Sequence, residues 1–258
     1  MRVLIAQITD THITTAGRQA ADLRAALAWI NRMRPRPDIV LLSGDTTNDG
    51  RPDEYARLHD ILDGSAIDVV LVPGNHDRRP ALQANVPSAH YPRSIGTSIS
   101  YVIDSSPVRI IALDTTAPGR PGGILDDARL TWLDAALRAG PQRPTLLFMH
   151  HPPFRTGVNL ADLFGFKGLR RFERIVARHP QLRRIVAGHI HCERSSTIAQ
   201  ALVTTCISGT PQVVPEVFER RLLGLRPEPA GFALHAFAHG AFTSETQVQA
   251  GAGRFAAL

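Results

Sequence analysis

The chain has 258 residues, 43% of them hydrophobic and 20% charged, with a formal net charge of +6. That length supports one large domain or two small ones around a buried core. With no apolar run of about 18 residues a membrane-spanning helix is excluded, and two cysteines, Cys192 and Cys206, exclude a disulfide scaffold and a four-cysteine zinc site. Residues 2–8 form a short apolar, β-branched run, predicted to be a buried strand. Leu23, Leu27, Ile30 and Met33 recur at helical spacing over 18–33, and Pro35 and Pro37 stop that helix. A second strand is predicted at 39–43, a helix from Pro52 to about Leu62, and a third strand at 68–72, stopped by Pro73-Gly74. The stretch 79–97 reads as irregular, and 98–104 with 108–113 as a strand pair. Helices at 126–139 and 167–178 alternate with strands at 145–149 and 184–187. From residue 195 the pattern turns to short strands, at 195–206, 231–238 and 241–248, and the small-residue end, 250–258, is expected to fray. The alternation predicts one α/β domain over 1–258, with two packed sheets, helices outside and a β-rich portion over 195–250.

Five of the strand-like runs end in groups able to ligate a metal: Asp10-Thr11-His12, Gly44-Asp45, Gly74-Asn75-His76-Asp77, His150-His151 and Gly188-His189-Ile190-His191. In α/β sheets ligands bind beyond the carboxyl ends of strands. A single Asp-x-His means little, whereas five such blocks each at a strand end predict a common site. The donors are hard oxygens and imidazole nitrogens with no thiolate, a mixture that suits Mn, Fe, Co, Ni or Zn better than Ca or Mg alone. Seven ligand groups exceed the needs of one ion and fit two that share a bridging carboxylate, the arrangement used in phosphoryl displacement.

In this order and spacing the blocks resemble the calcineurin-like metallophosphoesterase superfamily over residues 2–191. The short form, the run His150-His151-Pro152-Pro153 and the β-rich tail after Ser208-Gly209-Thr210-Pro211 are most similar to the bacterial group of class III cyclic nucleotide phosphodiesterases and glycerophosphodiesterases. The resemblance implies a four-layer α/β/β/α sandwich. It implies two divalent or mixed-valence transition metal ions such as Mn, Fe, Zn or Co. Asp10, His12, Asp45 and His191 would hold one ion, and Asp45, Asn75, His150 and His189 the other, so that Asp45 bridges. It further implies attack by a metal-held hydroxide, with Asp45 and His76 in the catalytic machinery and His76 touching phosphate and protonating the leaving oxygen. The alternative for His76 is to orient Asn75 or Asp45. Asn75 and His151 complete the expected substrate side, His151 as pocket wall or contact. Asp77 is left between orienting a neighbour and capping the next segment. Asn48 and Asp49 are expected to stabilise a turn, and Cys192 to pack as a small residue. His59, His90, His179, His235 and His239 fall outside the blocks, with His90 the one placed to overhang the site.

The expected activity is hydrolysis of a small phosphodiester, a 3′,5′-cyclic nucleotide or a glycerophosphodiester. Phosphomonoester hydrolysis on the same metals is the alternative. Lys167 is the only lysine, so the positive charge is arginine, and no basic block is interleaved with aromatics. A nuclease or nucleic-acid-binding role is therefore the weaker expectation. A small anionic phosphoester is the expected partner. The resemblance adds a homo-oligomer, a dimer or larger, with Val213 to Leu225 as the candidate contact. The N-terminal run meets polar residues at once and lacks a basic start and a small-residue cleavage site, so a cytoplasmic location is expected.

Overall fold

The computed structural model describes residues 2–92, 98–104, 107–210, 212–218, 221–228, 230–249 and 255–257, with backbone alone for 159–160, 212–218, 221–228, 249 and 255–257. In chain order it runs β1 (Val3–Ile8), α1 (Gln19–Arg32), β2 (Ile39–Ser43), α2 (Pro52–Asp63), β3 (Val69–Val72), α3 (Arg79–Asn85), β4 (Tyr101–Ile103), β5 (Arg109–Leu113) and β6 (Gly123–Ile124). It continues through α4 (Asp127–Arg138), β7 (Thr145–Met149), α5 (Asn159–Phe164), β8 (Phe166–Lys167), α6 (Leu169–Arg178) and β9 (Leu182–Ala187). The remainder is β10 (Ser195–Ile198), β11 (Ala201–Thr205), β12 (Gln212–Phe218), β13 (Arg221–Glu228), β14 (Gly231–Ala238), β15 (Ala241–Gln249) and β16 (Phe255–Ala257).

Two six-stranded sheets form the centre, ordered β16-β15-β14-β1-β2-β3 and β10-β11-β9-β7-β5-β4. β1, β2 and β3 run parallel, as do β5, β7, β9 and β11. Strands covered on both faces are near-continuous apolar runs, and β1, β3, β5 and β7 are buried at every position, Gln7, Arg109 and Thr145 being their polar residues. The apolar faces of α1, α2 and α3 share one core with the first sheet, and that core continues from the sheet to the inner face of the second. Leu130, Leu133 and Leu137 of α4 and Phe172, Ile175 and Val176 of α6 cover the outer face of the second. The layers are thus α/β/β/α, as the sequence pattern predicts. Local signals set the helix starts. Pro52 opens α2, where the Glu54 carboxylate accepts from the Arg51 amide, and the Asp126 carboxylate caps α4 by accepting from the Arg129 amide at 2.9 Å.

Some expectations need correction. Residues 79–85 form α3, which starts with Pro80 in its first turn, so the stretch 79–97 is not irregular throughout. The helix expected at 167–178 begins at Leu169, because Phe166 and Lys167 pair with Gly123 and Ile124. Within 250–258, Phe255–Ala257 pairs with β15 instead of fraying, and the rest lies outside the described residues. The β-rich portion is built into both sheets, β10 and β11 extending the second and β14 to β16 the first. The candidate contact Val213 to Leu225 falls on the β12–β13 hairpin, whose side chains lie outside the described residues. Among the described residues no helix is long and apolar enough to cross a membrane.

Candidate metal centre and active site

The parallel strands deliver the five blocks to one edge, where two contacts lock the two sheets together and a third ties the ends of β7 and β9. His150 Nδ1 lies 2.9 Å from the Ser43 carbonyl, Gln7 Nε2 donates to the Ala187 carbonyl at 2.9 Å, and the Gly188 amide donates to the His150 carbonyl at 2.9 Å. The loops after β1 and β2 stay paired past the strand ends, with Asp10 N donating to Gly44 O and His12 N to Asp45 O. Asp10, His12, Asp45, His189 and His191 all have φ between 42° and 73°. This left-handed conformation is uncommon outside glycine and stores strain that clusters at functional sites. Close packing explains two glycines. A side chain on Gly74 would stand 2.1 Å from Asp45 Oδ1, and Gly44, with φ of 97°, would meet the His150 ring at 2.4 Å.

Asp45 sits at the centre. Its Oδ1 accepts from the His76 amide at 2.8 Å. Its Oδ2 lies 3.4 Å from His150 Nε2, 3.7 Å from His12 Nε2 and 4.0 Å from His76 Nε2. On one side His12 Nε2 and His191 Nε2 face each other at 3.3 Å, and Asp10 Oδ1 is 3.3 Å from His191 Nε2. That Asp10 oxygen is buried and accepts no hydrogen bond, while Oδ2 accepts from Thr9 Oγ1 and the His189 amide. On the other side His150 Nε2 lies 3.1 Å from Asn75 Oδ1, and the His189 ring stands 5.0 Å from that of His150. A carbonyl can only accept, so His150 Nδ1 carries the proton for Ser43, which turns Nε2 inward toward Asn75 and Asp45.

The electrostatics follow from burial and neighbouring charge. Burial pushes the Asp10 carboxyl up, but His191 and His150 outweigh it and hold it at about 2. Asp45 is likewise held well below the usual carboxylate range by His150 and His12 against the pull of burial. Burial pushes His150 down, yet Asp45 and Asp10 raise it to about 9, and Asp10 raises His191 in the same way. Burial keeps His12 and His189 at about 4, so both are neutral at pH 7.

Buried carboxylate oxygens and imidazole nitrogens gathered at these separations fit bound cations, which would take the place of the imidazole protons. Ligands about 2.0–2.2 Å from one ion stand roughly 3–3.5 Å apart. Among the described residues four overlapping groups could hold metal: Asp10, His12 and His191; Asp10, Asp45 and His150; His12, Asp45 and His76; and His150, His151 and His189. Both ring nitrogens of His151 are engaged outside the cluster of carboxylates. Its Nε2 donates to the Pro121 carbonyl at 3.1 Å and its Nδ1 accepts from the Thr115 hydroxyl at 2.8 Å, and the residue is 2% exposed. A substrate contact through His151 would have to break one of these bonds. His90 is held by the Val69 carbonyl, at the opposite end of β3 from the site, so it does not overhang it.

Two positioning roles have no clear sign in the sequence. The Asn48 carbonyl accepts from His76 Nδ1 at 2.7 Å, which turns Nε2 toward Asp45. The half-buried Asp77 carboxylate accepts from Thr46 N and Oγ1, Thr47 N and Oγ1, Tyr55 Oη and Gly74 N. It clamps the loop carrying Asp45 to the loop carrying Asn75, and neither orients His76 directly nor caps α3. Asp77→Ala would leave several buried donors unpaired, each costing about 1–3 kcal/mol. The expected loss is about 4 kcal/mol of stability in urea unfolding, with about half of that for Asp77→Asn, which keeps one acceptor oxygen.

The calcineurin-like phosphoesterase family model matches residues 3–193. The chain belongs to this family of metal-dependent phosphoester hydrolases, whose members use divalent metals. It is 32% identical over 219 residues to the glycerophosphodiester phosphodiesterase GpdQ of Enterobacter lignolyticus, covering 82% of this chain and 79% of that one. It is 36% identical over 196 residues to a probable cyclic nucleotide phosphodiesterase of a Synechococcus species, covering 74% of each. The dimetal phosphatase from Danio rerio superposes with a TM-score of 0.71 at 20% identity over 95% of each chain, a likeness of fold.

Proposed function

We propose that this chain hydrolyses small phosphodiesters at a dinuclear metal centre, with a 3′,5′-cyclic nucleotide or a glycerophosphodiester as substrate class. The carrying observation is the pair of donor groups that share Asp45 beside an open cavity. That cavity, about 730 Å³, is lined by Asn75, His76, Arg78, Arg79 and Thr116 among others. The names of the GpdQ and cyclic nucleotide relatives support a diester. Asp10, His12, Asp45 and His191 would hold one ion and Asp45, Asn75, His150 and His189 the other, Mn, Fe, Zn or Co suiting the donors. Bound divalent ions supply Lewis-acid stabilisation of phosphoryl oxygens and lower the pKa of water.

The residues of the chain do the rest. Asn48 fixes the His76 ring so that Nε2 reaches the mouth of the cavity, where it can hydrogen-bond a phosphoryl oxygen or give a proton to the departing alkoxide. Arg79 Nη2 donates to Asp114 Oδ1 at 3.0 Å and to the Thr116 carbonyl at 2.7 Å, which holds the 114–119 wall of the cavity in place. His151 ties Thr115 to Pro121 and so shapes the neighbouring loop. Initial rates with Mn²⁺ on bis(p-nitrophenyl) phosphate and p-nitrophenyl phosphate test the reading. A preference of tenfold or more for the diester is expected, and a preference for the monoester overturns it. A panel of cyclic AMP and glycerophosphocholine then separates the two substrate candidates.

A further inference from the structure

A second cavity, about 710 Å³, lies between β14 and β15 of the first sheet and β9 and β11 of the second. None of the residues assigned to the metals lines it. At its floor stands Arg184, which projects from β9 on the same side as the apolar Val186, whereas Leu182, Ile185 and Ala187 pack on the outer face. Arg184 is 2% exposed. Its Nη2 donates to Ser244 Oγ at 2.8 Å, and its guanidinium carbon lies 5.9 Å from the Phe242 ring centroid. Nε and Nη1, which between them carry three of the five guanidinium protons, are buried and have no acceptor. Thr204 Oγ1, on the next strand and lining the same cavity, is also buried without a partner.

Of the surrounding polar groups, Ser244 Oγ alone accepts from Arg184 among the described residues. Gln7 Nε2 donates to Ser43 Oγ and to the Ala187 carbonyl, and Gln7 Oε1 lies 3.0 Å from His235 Nε2, which therefore carries the proton. His235 Nδ1 then accepts from the Ser244 hydroxyl, leaving the Ser244 oxygen for Arg184. Burial, and after it the charge of Arg184, hold His235 down at about 3, so this floor is neutral apart from the arginine. Glu193 and Glu245 stand at the exposed rim, engaged with Thr246 and Gln247, and neither pairs with the guanidinium. A buried cation without a counter-charge is strongly unfavourable, and guanidinium is the side chain best matched to carboxylate and phosphate oxygens.

We propose that this intersheet cavity binds a small oxyanion, a phosphate or carboxylate group, whose oxygens accept from Arg184 Nε and Nη1 and from the Thr204 hydroxyl. The site is separate from the metal centre and does not rest on the diesterase reading. The test follows the thermal unfolding midpoint of the metal-loaded chain against inorganic phosphate and, separately, acetate, with chloride holding ionic strength constant. Wild type, Arg184→Met and Thr204→Val are compared, because phosphate can also occupy the metal centre. Arg184→Met removes an unpaired buried charge and is expected to fold at least as well without added anion. A saturable rise in wild type whose half-saturation moves at least tenfold upward in Arg184→Met, and several-fold in Thr204→Val, is expected, with diester hydrolysis within twofold of wild type. A response to phosphate alone identifies a phosphate ligand, and a response to acetate alone a carboxylate. The same anion dependence in wild type and variants, or no saturable rise in wild type, overturns the proposal. Should Arg184→Met fail to fold, Thr204→Val alone decides it.

Discussion

Asp45→Asn is expected to lose most of its bound metal and at least about 10³-fold in kcat/KM on bis(p-nitrophenyl) phosphate, roughly 4 kcal/mol of transition-state stabilisation. The substitution keeps the volume of the side chain, and an amide oxygen can still accept from the His76 amide, so the loop need not collapse. What it removes is the charge at the point where the two donor groups meet. Oδ2 lies within 4.0 Å of three imidazole nitrogens, those of His12, His76 and His150. A carboxylate can bridge two cations, whereas a neutral amide is a poor bridge. Elemental analysis after gel filtration should show metal per chain falling in step with rate. A variant that keeps full metal content and normal turnover would remove Asp45 from the centre of the mechanism. A His12→Asn variant, lying on one side only, is expected to lose less metal than Asp45→Asn.

The parts of this site readable from sequence are those that repeat a local signal. Each block follows an apolar β-branched run, and the structure puts those runs in parallel with their carboxyl ends on one edge. The residues that escape such reading act through tertiary contact. Asp77 serves two threonines, a tyrosine and a glycine backbone from three different segments. Asn48 orients His76 through its backbone carbonyl, which carries no side-chain signature. Arg184 looks like one more arginine in an arginine-rich stretch, and only the alternation of β9 against the opposing sheet turns it inward. α3 escapes because its seven residues offer too short a period beside Pro80. Of the two roles expected for His151, its contacts favour pocket wall over free substrate contact. Its neighbour His150 lends it the look of a site residue, while its own two nitrogens are spent on Thr115 and Pro121.

The second large effect concerns His76, and the choice of leaving group decides what it does. With Nδ1–H committed to the Asn48 carbonyl, Nε2 is the free nitrogen, at the edge of the cavity and 42% exposed as a side chain. His76→Gln keeps a hydrogen-bond donor near that position but cannot deliver a proton. General acid assistance contributes about 10²–10⁴-fold when the leaving oxygen is basic. It contributes little when the leaving group is p-nitrophenolate, which departs without protonation. His76→Gln is therefore expected to lower kcat on glycerophosphocholine or a cyclic nucleotide by about 10²–10³-fold. The loss on bis(p-nitrophenyl) phosphate should be roughly tenfold or less, with metal content unchanged because the side chain lies outside the proposed ligand set. Equal losses on both substrates would make His76 a phosphate contact only. A loss of metal would instead assign it the orienting role, through Asp45 Oδ1, which accepts from its amide. The three readings of His76 thus separate on two measurements, the dependence of kcat on leaving-group basicity and the metal retained by the variant.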